Sequence, residues 1–394
     1  MKILVLNCGS SSFKYQLINM DNDEVICKGN YERIGMEGSF LTHKFGDEKK
    51  VYEQPAKNHE EAIKFTMSKF VEPGIAVIST LDEIDAIGHR VVHGGERFTS
   101  SVIIDDSVVE GIRDAVKYAP LHNPAHLQGI DACKVALPGK PNVAVFDTAF
   151  HQTIPKESYM YPIPYEYYEK YGVRKYGAHG TSHKYVTGRI AEIMGRDDLK
   201  VISCHIGQGA SISAVKNGKC VDTSMGLTPL AGIPMGSRSG DLDPSVVTYI
   251  MDKENLSPKE METILNKKSG LLGMSCVSAD NRDIEAAIHN GDEKAELAMK
   301  HYTYKIAGYI ANMATALNGA DVIVFTAGVG ERGEKERWLI CERLGFMGVE
   351  LDKELNKTRA EEKEISSANS KVKVWIVPTE EELMIARETM ALIK

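Results

Sequence analysis

Two stretches far apart in the chain follow one plan. "KILVLNCGSSSFKYQLI" (2–18) and "KVISCHIGQGASISAVKNG" (200–218) each pass from an apolar strand pattern through a polar residue into a turn of small residues, then into a second strand. Such a repeat reads either as a duplicated domain or as two unrelated hairpins. Both turns let backbone N–H groups and hydroxyls approach an anion, because no large side chain blocks the way. Lys14 beyond the first turn and His205 before the second add donor groups, which favours phosphate over a plain tight turn.

Around these hairpins short apolar runs alternate with longer amphipathic ones, the pattern of an α/β protein. Strands are expected at 2–6, 13–18, 86–92, 142–146, 200–206, 210–215, 321–326 and 373–377. Helices are expected at 107–118, 257–266, 293–317 and 381–393. Ligands in open α/β sheets gather at the carboxyl ends of strands, so Asn7, Asp147, His205 and the glycines from Gly328 are the first candidates for chemistry.

The chain has 394 residues, 43% of them hydrophobic and 26% charged, enough for two cores. A net charge of -8 argues against a nucleic-acid binder that relies on bulk charge, while leaving room for a local anion site. The cysteines number 7, are scattered and lack C-x-x-C spacing, so neither a disulfide framework nor a zinc ribbon is indicated and a reducing cytoplasm is expected. No apolar run is long enough to span a membrane, and a strand pattern stands where a leader peptide would be.

Two other motifs compete for attention. "VIVFTAGVGERG" places Gly328, Gly330 and Gly333 in G-x-G-x-x-G spacing after a strand, which suits a dinucleotide fold or, equally, a turn against adenosine. A G-K-S/T P-loop is absent. Three histidine pairs, His89/His93, His122/His126 and His179/His183, have H-x-x-x-H spacing. The first pair sits on a predicted strand, where four residues span roughly 13 Å, too far for one metal. None carries the glutamate of H-E-x-x-H, so hydrogen bonding or anion contact is the stronger reading.

The ordered set "NCGSSSFKY", "GHRVVHGGERF", "APLHNP", "FDTAFHQTIP", "YGAHGTSHKYV", "HIGQGAS", "DTSMGLTPLAGIPMGSRSGDLDP", "FTAGVGER" and "EEELMIAR" resembles the acetate and propionate kinase family over essentially the whole chain. That family belongs to the actin, heat-shock chaperone and sugar kinase superfamily. The resemblance implies duplicated RNase-H-like (actin-like ATPase) domains with a nucleotide cleft between them, at 1–148 plus 385–394 and at 149–384. It further implies a cytoplasmic homodimer and reversible phosphoryl transfer from ATP to acetate or a short-chain carboxylate, with magnesium, for which manganese can substitute. No nucleic-acid or membrane partner is expected.

By the same resemblance, Arg90 and Arg238 match the acetate and phosphoryl arginines, whose forked guanidinium groups suit carboxylate and phosphate oxygens. His179 matches the histidine on the transferring phosphoryl group, and Asp147 the essential aspartate. Acetate is already ionised near neutrality, so Asp147 is expected to orient Arg90 or the magnesium shell rather than remove a proton. Asn7 and Glu381 match magnesium-associated positions. Ser10, Ser12 and Lys14 face phosphoryl oxygens. The nucleotide loops are His205, Ile206, Gly207, Gln208 and Gly209, then Asp280, Asn281 and Arg282, then Gly328, Val329, Gly330, Glu331 and Arg332. The acyl pocket is Val92, Leu121, Ala178 and Pro229. Four positions depart from the family pattern. Ala178 stands where the family usually has Phe, which makes room for propionate. Gln208 and Arg332 each replace a usual Asn at the nucleotide, and His126 replaces another Asn for no reason visible in the sequence.

Overall fold

The computed structural model describes residues 1–120 and 122–394, so Leu121 lies outside the described residues. Two compact units emerge from one chain: Met1–Phe150 with Glu380–Lys394, and His151–Thr379. Unit 1 is built on β1 (Lys2–Cys8), β2 (Ser12–Asn19), β3 (Glu24–Glu32), β4 (Phe40–Phe45), β5 (Glu48–Glu53), β6 (Ala86–Val91), β7 (Val102–Ile103) and β8 (Asn142–Phe146), ordered β5-β4-β3-β2-β1-β6-β8-β7. Unit 2 uses β9 (Lys200–Ile206), β10 (Ala210–Lys216), β11 (Lys219–Thr223), β12 (Val322–Thr326), β13 (Lys363–Glu364) and β14 (Lys373–Ile376), ordered β11-β10-β9-β12-β14-β13.

The two sheets share a plan. In unit 1, β3, β2 and β1 run antiparallel, and β6 and β8 add parallel to β1. In unit 2, β11, β10 and β9 do the same, with β12 and β14 parallel to β9. This is a duplicated RNase-H-like α/β fold, and the paired hairpins are the first two strands of each copy. All eight expected strands are present. The structure adds β3, β4, β5, β7, β11 and β13; β7 and β13 have two residues each, β3 and β5 are mostly exposed or half-buried, and β4 interleaves Thr42, His43 and Lys44 with its apolar residues, so none has a strong apolar signature.

Helices Glu293–Leu317 and Glu381–Ile393 fall where the sequence puts them. The segment expected as one helix at 107–118 is α-helical only over Asp106–Asp114 and then tightens into a 3₁₀ turn, Ala115–Lys117, ahead of Pro120, whose ring disfavours helical geometry in the residue before it. The helix expected at 257–266 is Pro258–Lys267, because the Ser257 side chain caps it by accepting from the Glu260 N–H.

Strand periodicity decides which face each residue serves. Leu4, Leu6, Cys8 and Ile87 point to one side of the unit 1 sheet and pack with Ala132 and Cys133 of helix Asn123–Ala136. Gly88 and Arg90 point to the other side, under helix Glu381–Ile393. A Cβ on Gly88 would come within 2.5 Å of Thr389 Oγ1 and 2.8 Å of Ile385 Cγ2, so the missing side chain lets that helix lie close to β6. In unit 2 one face (Ile202, Cys204, Ile206, Ile212) joins the core beneath helix Glu293–Leu317. The opposite face carries the buried polar row Ser203, His205, Ser211 and Ser213. Among the described residues, no helix is long and apolar enough to cross a membrane.

Several imidazoles are buried with little water to stabilise their charged form. Burial lowers the pKa of His43 and His89 to about 4, and that of His126 to about 3 with Arg90 adding to the effect. Their native pKa values lie below the unfolded value, so the unfolded chain binds protons that the native chain refuses as pH falls through 6.5. We expect stability to be full above that value and to drop by about 2 kcal/mol per such histidine at about pH 5. A urea unfolding midpoint that did not fall between neutral and mildly acidic pH would contradict this.

Candidate active site

In unit 1 the parallel register sets the geometry. Leu6 of β1 pairs with His89 of β6, and Arg90 pairs with Val145 of β8. Asn7, Arg90 and Asp147 therefore project from the same face at the carboxyl ends of three adjacent strands. Lys14 lies directly opposite Asn7 across the β1–β2 pair, and so joins that face. Asp147 is 1% exposed, and its Oδ2 accepts from Arg90 Nη2 at 2.5 Å and Nε at 3.1 Å. The Arg90 Nη1 donates to Asn7 Oδ1 at 3.3 Å. Asp147 thus fixes the orientation of the Arg90 guanidinium.

Glu381 opens helix Glu381–Ile393 and is brought to this group by the close packing over Gly88. Burial raises its pKa, with Asp147 and Glu382 adding to the rise, while Arg90 and Lys14 oppose it. Ser10 is exposed in the turn. Ser12 begins β2 and accepts no cap role; its carbonyl receives the Gly9 N–H at 2.7 Å, closing the turn. Val92 is buried just beyond β6.

In unit 2, His179 is the N-cap of helix Gly180–Met194 and adopts a left-handed backbone, φ 57°. For a residue other than glycine that conformation costs on the order of 1–3 kcal/mol and is a feature of functional sites. Its ring stacks on His205 with centroids 4.1 Å apart. His205 Nδ1 in turn meets the Ser182 hydroxyl at 2.8 Å. A Cβ built on Gly209 would lie 3.4 Å from His179 Nε2 and 3.6 Å from Arg238 Nη1, so the two donors flank one point above the β9–β10 turn. Arg238 donates to the Pro229 carbonyl at 3.1 Å and approaches the Met235 sulfur at 3.6 Å. It has no carboxylate partner among the described residues, and burial lowers its pKa. A partly desolvated cation without a counterion is costly to bury. The turn that carries it is held by Gly270, φ 63°, where a Cβ would come within 2.7 Å of the Arg238 carbonyl oxygen.

A cavity of about 520 Å³ opens in unit 2. Gly207, Gln208, Gly328, Val329 and Arg332 line it, together with the Asp280–Arg282 segment at the start of helix Asn281–His289. Three segments that the sequence analysis assigned to one nucleotide therefore meet around one space, although Gly328–Arg332, expected as a loop, belongs to the short helix Ala327–Arg332. His205, Ile206, Gly209, Gly330 and Glu331 do not line it. The Glu331 carboxylate instead accepts from the Ala327 N–H at 2.9 Å and the Thr379 N–H at 3.2 Å, bracing the loop from behind. Asp280 caps its helix and pairs with Arg282 at 2.6 Å.

Sequence reasoning missed several lining residues, among them Gly236, Tyr302, Glu336 and Arg359. It also missed Arg337, which is fully buried and donates to the carbonyls of Gly330, Asn356 and Thr358 and to Asn356 Oδ1. A charged residue at helical spacing gives no hint of such a role. Of the paired histidines, His89 meets Asn142 Oδ1 at 2.7 Å and His183 meets Ser203 and Ser211, each at 2.8 Å, whereas both ring nitrogens of the buried His126 lack a hydrogen-bond partner among the described residues. Nothing in the structure explains why His126 occupies its position. Ala178 is buried within the unit 2 core, and its carbonyl accepts from His151 Nε2 at 2.9 Å.

A family model described as the Acetokinase family matches residues 2–387. The chain belongs to that family. It is 57% identical over 399 residues to the acetate kinase of Thermotoga maritima, covering 100% of this chain and 99% of the relative. Identity to the acetate kinase of Clostridioides difficile is 55%, with 100% of both chains covered. Among solved structures, that of Porphyromonas gingivalis acetate kinase has a TM-score of 0.97 at 48% identity, and a propionate kinase from Francisella tularensis one of 0.93 at 43%, each covering 100% of both chains. The family is one of kinases that use ATP.

The Arg337 cluster predicts a specific cost. Replacing Arg337 by Met leaves three buried carbonyls without a donor and should lower stability by about 3 kcal/mol. Because Gly330 is one of them, ATP affinity should weaken as well, measurable by urea unfolding and by calorimetric titration.

Proposed function

We propose that this protein transfers the terminal phosphoryl group of ATP to acetate, giving acetyl phosphate and ADP, and that it runs reversibly with magnesium. The observation that carries the reading is the pairing of Arg238, a half-buried cation without a carboxylate partner, with His179 Nε2 around Gly209, next to the cavity lined by Gly207 and Gln208. A carboxylate oxygen forms a bond to the γ-phosphorus. The bond to the β,γ-bridging oxygen breaks, and its electron pair stays on ADP. No proton moves.

Arg90, aimed by Asp147 and Asn7, binds the acetate carboxylate and offsets its repulsion with the phosphate. His179 and Arg238 stabilise the equatorial oxygens of the group in flight. Ser10, Ser12 and Lys14 face phosphoryl oxygens, and the cavity takes the nucleotide. Asn7 and Glu381 would hold magnesium: an amide oxygen and a carboxylate that pays for its burial suit a hard cation completed by phosphate and water oxygens. Bound there, the ion neutralises phosphate charge. The seven cysteines are all unpaired, in keeping with the reducing cytoplasm. A homodimer is our expectation for the assembly, and Leu297 and Tyr304, exposed one above the other on helix Glu293–Leu317, offer apolar surface for it.

The test is hydroxylamine trapping of acyl phosphate in the presence of ATP, magnesium and acetate. ATP hydrolysis without trapped product would overturn the assignment in favour of an ATPase. Within that assay Arg238→Ala should cut kcat on the order of 10²- to 10³-fold. Asp147→Asn should act mainly through the KM for acetate, since it loosens Arg90; an unchanged KM for acetate with unchanged magnesium dependence would refute its role.

Acyl preference rests on Ala178, Val92, Leu121 and Pro229. With Ala178 in place of the family's usual Phe, we expect propionate to be used with kcat/KM within about tenfold of acetate. Ala178→Phe should sharpen the preference toward acetate, with a thermal unfolding scan run beside it because the site is packed. An acetate preference that is already sharp and does not change in the variant would remove Ala178 from the acyl pocket.

A further inference from the structure

The buried polar row on β9 and β10 has a use beyond packing. Ser203 Oγ lies 2.8 Å from His183 Nδ1, His183 Nε2 lies 2.8 Å from Ser211 Oγ, and Ser211 Oγ lies 2.9 Å from His179 Nδ1. Strand register produces this chain of contacts. Ser203 and His205 alternate on one face of β9, and Ser211 sits opposite His205 on β10, so all three turn toward helix Gly180–Met194, which supplies His183 one turn beyond its cap His179. Ser203, His183 and Ser211 are each 0% exposed, which leaves no solvent to compete for these bonds.

We propose that Ser203, His183 and Ser211 are positioning residues that fix the tautomer of His179, so that its Nδ1 accepts and its Nε2 carries the proton. The proposal rests on the reading of His179 as a donor to the transferring phosphoryl group. A neutral relay of this composition can run in two directions. In one, His183 Nδ1–H donates to Ser203, Ser211 donates to His183 Nε2, and His179 Nδ1–H donates to Ser211. That direction leaves the Ser203 hydroxyl proton buried without an acceptor, because His183 is the one side-chain partner Ser203 has among the described residues. In the other, the Ser203 hydroxyl donates to His183 Nδ1, His183 Nε2–H donates to Ser211, and the Ser211 hydroxyl donates to His179 Nδ1. The donor left at the end of the relay is then the His179 Nε2–H, on a half-buried ring that faces the site, instead of a hydroxyl proton on the fully buried Ser203, and an orphan donor costs most where no water or ligand can reach it. Burial holds His183 well below its ordinary pKa, so its ring keeps one donor and one acceptor as the relay requires. The second direction ends with His179 Nε2–H at the point flanked by Arg238, where an anion needs a donor rather than a lone pair.

The test is a nitrogen-15 spectrum of the full-length protein labelled at histidine, with the His179 signals assigned from His179→Gln. At neutral pH the proposal expects a neutral His179 ring protonated at Nε2. A ring protonated at Nδ1, or doubly protonated, would overturn it. Turnover gives the second readout. Ser211→Ala should lower kcat by about 10- to 10²-fold, with KM for ATP and for acetate unchanged within about twofold, and Ser211→Thr, which keeps the hydroxyl, should restore it. Equal losses in the Ala and Thr variants, or a loss carried by KM, would overturn the relay. Should Ser211→Ala not fold, the wild-type spectrum decides alone. Failure of the underlying reading would look different: His179→Ala with near-normal turnover would remove the phosphoryl role while the wild-type spectrum still showed the Nε2–H tautomer.

Discussion

The ion pair between Arg90 and Asp147 is the contact that holds the polar group at the carboxyl ends of the unit 1 strands. An aspartate 1% exposed is tolerable only when its charge is matched, and here the match comes from the neighbouring strand through two donors to one oxygen. Those bonds use the Nε edge of the guanidinium and turn its Nη1 toward Asn7. Asp147 therefore fixes the plane of the Arg90 guanidinium. Breaking such a pair costs more than its net contribution, because the surviving charge stays buried.

Unit 2 handles its arginine in the opposite way. Arg238 is held by a carbonyl and a sulfur, both neutral, while desolvation lowers its pKa. The two arginines thus differ electrostatically: Arg90 is paired with a carboxylate, whereas Arg238 has no carboxylate partner among the described residues. Around Arg238 the donors are set by rigid elements, Gly270 under its turn and the stacked His179 and His205 rings beside it. The left-handed backbone at His179 is the local cost of putting an imidazole at a helix N-terminus with its ring lying across the β9–β10 turn.

Much of this is legible in the residues themselves. Each of the eight expected strands is there because apolar runs such as 2–6 and 321–326 are buried on both faces, which leaves a strong signal. β4 and β5 are harder to read, since β5 alternates exposed lysine and glutamate with half-buried positions and looks like surface. The anion reading of the first turn follows from Gly, Ser and Lys14, yet its partners Arg90 and Asp147 are many residues away and become neighbours only through parallel strand register, which no local pattern encodes. Gly207, Gln208, Gly328 and Val329 are visible as loops, but the walls contributed by Tyr302 and Glu336 come from helices whose periodicity reads as ordinary packing. The serine row at 203, 211 and 213, with His205, was open to inspection as period-two polar residues inside strands whose alternate positions are apolar, a conflict with burial that points to a network.

That conflict also separates the two copies of the fold. Both place a small-residue turn after the first strand and both end parallel strands at the same edge, so duplication fixes where chemistry can be put. What differs is the sheet face beneath the turn. In β1 and β2, Leu4, Leu6, Phe13, Tyr15 and Leu17 fill one face with hydrophobic core, and the functional groups stand at the strand ends on the other. In β9 and β10 the hydrophobic face is Ile202, Cys204 and Ile212, and the second face is given over to serine and histidine under a helix. A buried polar face contributes less to stability than an apolar one of the same area. It is retained where orientation matters more than cohesion, and a histidine whose proton must sit on one nitrogen is such a place.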